Sequence, residues 1–142
     1  MTDTLSPAER SELMSRIRSK DSGPEMRLRR LIYRLGYRYR LHVKDLPGTP
    51  DLVFPSRRAV IFMHGCFWHH HEGCKLARLP KSKLDFWKKK LESNKNRDAS
   101  QQLRLHELGW RVLVVWECEL DDADRLTMTI RHFLDKPSRG RS

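Results

Sequence analysis

The sequence predicts an α/β domain with a mixed central sheet flanked by helices. Two short apolar runs, Asp51–Phe54 and Arg58–Phe62, are separated by Pro55–Ser56–Arg57 and indicate an antiparallel hairpin. A later run, Arg111–Trp116, is apolar almost throughout, as is typical of a parallel strand buried on both faces. The helical segment before this run is long enough for the crossover that parallel strands require. A chain of 142 residues is sufficient for one such core.

Helical periodicity and capping signals place four helices around this sheet. The helices are expected at about residues 6–18, 22–35, 84–108 and 121–134. The first follows a Ser6 cap but carries only a narrow apolar stripe. We therefore expect residues 1–20 to form an arm outside a domain of residues 21–135. Tyr37–Val43 alternates in the manner of a strand, and residues 136–142 are expected to form a disordered tail.

The chain is strongly basic. It carries 29 Lys and Arg against 18 Asp and Glu, a net charge of +11, which favours a polyanionic partner such as nucleic acid without choosing DNA over RNA. No apolar run approaches the roughly 20 residues that cross a bilayer, and the first residues do not resemble a signal peptide. Three cysteines argue against a disulfide framework. We therefore expect a protein of the reducing cytosol with no membrane partner.

Histidine and cysteine are concentrated in one segment. Residues 61–74 hold four of the seven histidines and two of the three cysteines. Thiolate and imidazole at this spacing are typical of a tetrahedral zinc site. The candidate ligands are Cys66, Cys74, Cys118 and one of His69, His70 or His71. The alternative interpretation is a pair of free thiols beside surface histidines.

A second candidate site lies across the predicted hairpin. Asp51 begins one strand and Met63–His64 ends the other, so the hairpin should make them neighbours. A carboxylate, a strand-end carbonyl and water could hold Mg²⁺, which takes few protein ligands. His64 or His69 could transfer protons near neutral pH. The alternative is that Asp51 only caps the turn at Pro50.

Basic side chains on two helices are candidates for phosphate contacts. Arg16 lies on the N-terminal helix, and Lys88 belongs to a basic stretch that includes the start of the long helix. The alternative is an ordinary solvated basic face.

These motifs resemble those of a known family. Pro50–Asp51, Phe62–His69 and Gly109–Cys118 are similar to the very-short-patch repair (Vsr) endonucleases over about residues 8 to 120. The resemblance implies a restriction-endonuclease-like fold. It also implies an enzyme that nicks DNA on the 5′ side of the thymine in a T:G mismatch left by deamination of 5-methylcytosine. The implied setting is the bacterial cytosol, on DNA.

The resemblance also assigns roles to residues. Asp51 matches a Mg²⁺-binding carboxylate, and Met63 stands where a backbone carbonyl completes that site. His69 matches the histidine that activates water, with Glu25 close behind it and His64 supporting the scissile phosphate. The implied zinc ligands are Cys66, His71, Cys74 and Cys118.

Two positions depart from the family pattern. Met63 replaces a residue that is usually threonine, which is tolerable if only its carbonyl binds metal. The segment between His71 and Cys74 is one residue longer than usual, so His70 stays an alternative to His71.

Aromatic side chains provide a physical basis for mismatch selectivity. Wedges inserted between base steps cost a few kcal/mol of unstacking, and a mismatch opens more cheaply than a matched pair. By resemblance Phe67, Trp68 and Trp87 enter from the major groove, and Met14 enters from the minor groove. The alternatives are packing of Phe67–Trp68 around the zinc, and a core position for Trp87.

We therefore expect a monomeric, Mg²⁺-dependent mismatch endonuclease with a structural zinc. Its expected partner is duplex DNA with a T:G mismatch, and other DNA repair proteins are candidate partners. Two alternatives remain: a restriction-type nuclease acting on intact duplex, and a zinc-stabilised DNA-binding module without catalysis.

Overall fold

A computed structural model describes residues 23–66, 71, 74 and 82–136. The helices are α1 (Gly23–Arg34), α2 (Leu84–Glu107) and α3 (Ala123–Asp135). The strands are β1 (Arg40–Leu41), β2 (Leu52–Phe54), β3 (Ala59–His64) and β4 (Arg111–Trp116). Two 3₁₀ helices span Pro55–Arg57 and Glu117–Asp121. The predicted arm of residues 1–20 and the tail of residues 137–142 lie outside the described residues.

The four strands form one mixed sheet in the order β1-β2-β3-β4. β1 pairs with β2, and β2 with β3, in antiparallel fashion, whereas β3 and β4 are parallel. In the hairpin Leu52 faces Ile61, and in the parallel pair His64 faces Trp116. The predicted hairpin and the predicted parallel strand are both confirmed.

The core lies on both faces of the sheet because consecutive strand residues point to opposite faces. One face packs against α1 and α3 in a cluster that includes Leu52, Ile61, Leu28 and Ile130. The other face carries Val53, Val60 and Phe62, which pack with Leu105 of α2. All of these side chains are buried. The prediction of a sheet flanked by helices is therefore confirmed.

The expected strand Tyr37–Val43 is much shorter than its pattern indicated. Only Arg40 and Leu41 pair with β2, and the strand ends at His42, whose φ of 48° lies in the left-handed region. A residue in that conformation cannot continue a strand. Alternation alone does not reveal such a turn of the backbone.

The last helix begins two residues later than the sequence indicated. Asp122 caps it by accepting a hydrogen bond from the Arg125 N–H at 3.2 Å, and Glu117–Asp121 form a 3₁₀ helix instead. The long helix ends at Glu107, before Leu108 and Gly109 turn the chain into β4. Among the described residues, no helix has the length and apolar character needed to cross a bilayer.

Candidate active site and metal cluster

Strand register brings three functional side chains to one end of the hairpin. Leu41 faces Leu52, so the next pair outward is His42 and Asp51, and the His42 N–H donates to the Asp51 carbonyl at 3.4 Å. Glu25, in the first turn of α1, completes the group. One ligand atom from each of these residues lies within 4.8 Å of the others. We call Glu25, His42 and Asp51 the carboxylate cluster.

The carboxylate cluster is largely shielded from water. The side chains of Glu25, His42 and Asp51 are 2%, 13% and 15% exposed. His42 Nε2 lies 2.9 Å from Glu25 Oε2 and 3.8 Å from Asp51 Oδ1. Arg29, one helical turn beyond Glu25, forms an ion pair with it. Two carboxylates therefore share a small volume with one guanidinium and one imidazole.

Asp51 is held in an environment that opposes its ionisation. Burial raises the pKa of its carboxyl to about 7, the negative charge of Glu25 raises the pKa further, and a hydrogen bond from Met63 acts in the opposite direction. In that bond the Met63 N–H donates to Asp51 Oδ2 at 2.7 Å. A cation placed between the carboxylates would offset this cost, because an opposite charge nearby favours the ionised form.

The predicted proximity of Asp51 to Met63 is confirmed. The contact observed is to the Met63 N–H, and binding of metal by the Met63 carbonyl stays a prediction. Glu25, which only the resemblance implied, lies in the carboxylate cluster. His42 was missed, because its segment was taken for a continuous strand. Extending the strand register by one residue beyond Leu41 would have found it.

His64 lies close by but is buried among aromatic rings. Its side chain is 5% exposed, and its ring centroid is 5.7 Å from that of Phe62 and 5.2 Å from that of Trp116. The other neighbour of Trp116 is His71, which stacks on the indole at 4.2 Å with the planes 7° apart. Trp116 therefore lies between the two histidines.

Four further residues converge at the end of the parallel strand pair. Cys66 lies two residues beyond His64, and Cys118 lies two residues beyond Trp116. Because parallel strands end at the same edge of a sheet, this register brings the two thiols together. His71 and Cys74 complete the group, whose ligand atoms all lie within 4.8 Å of one another. We call these four residues the Cys₃His cluster.

The separations within the Cys₃His cluster suit a tetrahedral metal. His71 Nδ1 lies 3.6 Å from Cys66 Sγ and 3.5 Å from Cys118 Sγ. With metal–sulfur and metal–nitrogen bonds of zinc length, two tetrahedral ligands of these types lie about 3.6 Å apart. The residues that the resemblance implied as ligands are therefore the ones brought together. His70, the alternative to His71, lies outside the described residues.

The thiols of this cluster resist ionisation without a cation. Burial raises the pKa of Cys66 to about 12, with contributions from the neighbouring thiols and against a hydrogen bond from the Cys118 backbone. Burial also raises the pKa of Cys118. Since metals bind the thiolate, metal binding must displace these protons, and binding is expected to weaken as the pH falls.

The other predicted DNA contacts fall into two groups. Trp87 is 7% exposed and lies one helical turn from buried Leu91, in the core position left as its alternative, and its role in DNA binding stays a prediction. Its neighbour Phe86 is 55% exposed and packs edge-on against it. Lys88 is exposed on α2. Four predicted site residues lie outside the described residues: Met14, Arg16, Phe67 and Trp68. His69, the predicted base, also lies outside them.

Comparison with known proteins identifies the class of protein. The chain is 56% identical over 135 residues to the Type II nicking enzyme V.XorIIP of Xanthomonas oryzae pv. oryzae, covering 95% of this chain and 98% of that protein. It is 45% identical over 127 residues to the DNA mismatch endonuclease Vsr of Escherichia coli K12, covering 89% and 81%. The chain is therefore a DNA endonuclease, and DNA is its partner.

A family model narrows this class. The model described as DNA mismatch endonuclease Vsr matches residues 2–75, which include Glu25, His42, Asp51 and Cys66. The chain belongs to the Vsr family. The resemblance inferred from the sequence motifs is thus confirmed.

Replacing one cysteine of the Cys₃His cluster should remove its metal and destabilise the fold. For Cys118→Ser we expect metal content well below one ion per chain, and a melting temperature lower by roughly 10 °C or more, because metal loss is among the costliest single changes. Metal analysis and thermal unfolding measure both. Met128→Ser, on an exposed face of α3, is the matched control. A Cys118→Ser protein as stable as the control, with no metal in the wild type, would contradict this assignment.

Neutralising Asp51 should stabilise the protein at neutral pH. The carboxyl ionises near pH 3.8 in the unfolded chain and near 7 in the folded one, so the wild type loses stability as the pH rises through this window. Asn does not titrate. We expect Asp51→Asn to exceed the wild type by on the order of 2 kcal/mol at pH 8, and by little at pH 4.

Unfolding with urea at the two pH values, without added Mg²⁺, measures this difference. Loss of the cluster metal at low pH affects both proteins alike. Asp98→Asn, on the surface of α2, controls for the loss of a carboxylate charge elsewhere. A difference that is the same at both pH values would mean that Asp51 titrates normally.

Proposed function

We propose that this endonuclease is a Mg²⁺-dependent mismatch enzyme. It nicks duplex DNA on the 5′ side of the thymine in a T:G mismatch arising from deamination of 5-methylcytosine. The observation that carries the proposal is the buried pair Glu25 and Asp51 at one edge of the sheet, in a chain of a mismatch-endonuclease family. Two shielded carboxylates in contact cost stability and are expected where a cation binds.

The donor atoms of the carboxylate cluster fit a hard divalent cation. Mg²⁺ prefers oxygen ligands and keeps several waters, so Asp51, Glu25 and the Met63 carbonyl are a sufficient set. When bound, it would polarise the scissile phosphate and neutralise charge there. Replacement of threonine by methionine at position 63 is compatible with this role, because the carbonyl is common to all residues.

The histidines take the remaining roles. His69 accepts the proton of the attacking water, and His64 supports the scissile phosphate. His64 lies at the end of β3, where Asp51 bonds to the preceding residue, so it is close enough to the carboxylate cluster for this role. Its packing against Trp116 fixes its ring.

We also propose that the fold is restriction-endonuclease-like and that the Cys₃His cluster binds structural Zn²⁺. An antiparallel hairpin continued by a parallel strand, with an acidic residue at the start of β2, supports the fold. Three thiols and an imidazole support zinc over Mg²⁺ or Ca²⁺. Residues 1–20 act as a DNA-contacting arm, and the enzyme works as a monomer.

The Cys₃His cluster also supports the proposed wedge. Phe67 and Trp68 lie in sequence between the ligands Cys66 and His71, and the His71 N–H donates to the Cys66 carbonyl at 2.9 Å. Both ends of the wedge segment are therefore fixed to the domain. A segment held in this way resists the force of unstacking a base pair.

Nicking assays on T:G, T:A and C:G duplexes, with and without Mg²⁺, test the proposed function. We expect a single-strand nick only in the T:G duplex and only with Mg²⁺. Cleavage of both strands of matched duplexes would indicate a restriction-type nuclease. Binding to all three duplexes without a nick would indicate a DNA-binding module.

Three substitutions test the proposed chemistry. Asp51→Asn should abolish nicking while leaving mismatch binding nearly intact, because the metal loses its charged ligand. His69→Ala should slow nicking by roughly 10²–10⁴-fold, as expected for a lost proton-transfer group. Met63→Ala should have a much smaller effect, since only its backbone is proposed to bind metal.

Single-turnover nicking of a T:G duplex measures this order. A folded Met63→Ala protein as inactive as Asp51→Asn would exclude the carbonyl role. Normal nicking by Asp51→Asn would exclude the proposed metal site.

Removing the wedge should reduce selectivity more than affinity. Phe67→Ala combined with Trp68→Ala should weaken binding to T:G duplex far more than to matched duplex, whose binding depends on phosphate contacts. Phe86→Ala is the matched control, since Phe86 is an exposed aromatic outside the wedge. Titrations at two salt concentrations measure both affinities. Equal losses on both duplexes would mean that these aromatics pack within the protein.

A further inference from the structure

We propose that His42 supplies a nitrogen ligand to the cation held by Glu25 and Asp51. The site would then be a mixed nitrogen–oxygen site that binds Mn²⁺ and similar transition-metal ions more tightly than Mg²⁺. This inference rests on the proposed function, because it concerns the same metal site. It adds a ligand that neither the sequence motifs nor the family resemblance supplied.

The ligand-atom separations are those of groups bound to one ion. At metal–ligand distances near 2.1 Å, adjacent octahedral ligands lie about 3.0 Å apart and opposite ones about 4.2 Å. His42 Nε2 is 2.9 Å from Glu25 Oε2, which fits adjacent ligands. Its distance of 3.8 Å from Asp51 Oδ1 falls between the two values. Small side-chain rotations would bring all three atoms onto one cation.

The backbone of His42 is arranged to present the side chain to this point. Its φ of 48° is uncommon for a residue other than glycine and costs roughly 1 kcal/mol or more. The hydrogen bond from its N–H to the Asp51 carbonyl fixes its position opposite that residue. The imidazole is shielded from water beside both carboxylates. A strained residue held opposite a catalytic carboxylate is more typical of a functional site than of a turn.

A simple ion pair with Glu25 explains the position of His42 less well. Arg29 already forms an ion pair with Glu25 from the same helix, so that carboxylate has a cationic partner without the histidine. The imidazole also lies within reach of Asp51, which Arg29 is not shown to contact. A nitrogen ligand shared by both carboxylates accounts for both distances.

The presence of imidazole changes which ions the site prefers. Carboxylate and carbonyl oxygens suit Mg²⁺ and Mn²⁺ alike, whereas imidazole also suits transition metals and adds little for Mg²⁺. Removing the nitrogen should therefore weaken Mn²⁺ binding much more than Mg²⁺ binding. This difference separates a ligand from a residue that only shapes the pocket, whose loss would weaken both ions equally.

Electron paramagnetic resonance of Mn²⁺ added to the full-length protein, with its Cys₃His cluster loaded with zinc, tests the inference. His42→Asn is the informative variant, because asparagine tolerates the left-handed conformation better than most residues. We expect Mn²⁺ affinity to fall by roughly 10–100-fold and the ¹⁴N coupling of bound Mn²⁺ to disappear. Mg²⁺ affinity, measured by competition, should change little. His132→Asn, exposed on α3, is the matched control.

A second variant guards against misfolding of the first. His42→Asp also tolerates the left-handed conformation and offers an oxygen ligand, so it should bind Mn²⁺ without ¹⁴N coupling. Wild-type protein whose bound Mn²⁺ shows no ¹⁴N coupling would overturn the inference, whether or not the variants fold. So would ¹⁴N coupling and Mn²⁺ affinity that persist in His42→Asn.

Asp51→Asn separates this inference from the proposed function. If Asp51→Asn loses Mn²⁺ binding and His42→Asn retains it, the metal site stands and His42 is not a ligand. If Asp51→Asn also retains full binding, the proposed catalytic metal site itself fails, and with it the role of His42.

Discussion

The parallel pairing of β3 with β4 is the constraint on which both sites depend. Six consecutive residue pairs, from Ala59 with Arg111 to His64 with Trp116, fix where the two strands end. Cys66 and Cys118 follow at the same edge, so the Cys₃His cluster links two segments distant in sequence. β3 also pairs with β2, and through this hairpin the same strand presents the Met63 N–H to Asp51. A shift of β3 by one residue would disrupt both sites.

The sequence predicted the parts of the fold that are governed by apolar pattern and turn chemistry. The hairpin around Pro55–Ser56–Arg57 and the buried strand Arg111–Trp116 appear where their patterns placed them. The proximity of Asp51 to Met63 followed from hairpin geometry alone. The metal ligands were narrower than the sequence could decide, since three adjacent histidines offered similar spacing, and the fold selects His71 among the residues described.

What the sequence could not supply depends on backbone conformation and on tertiary packing. The end of β1 at His42 follows from one positive φ angle, which leaves no trace in an alternating pattern. Whether Trp87 is covered or exposed depends on how α2 lies on the domain, and helical spacing was equally compatible with both. Glu25 and Asp51 are distant in sequence, so their shared burial becomes visible only when α1 packs beside the hairpin.

Trp116 makes the two sites thermodynamically dependent on each other. Its indole contacts His64 on one side and stacks on His71 on the other, so neither imidazole can move without changing the packing of the same ring. Aromatic contacts of this kind contribute about 0.5–1.5 kcal/mol each beyond their buried area. Substitutions of His64 and His71 should therefore be non-additive, as is usual for residues with a common neighbour. The indole acts as a shared wall, and the energy of one site is not separable from the order of the other.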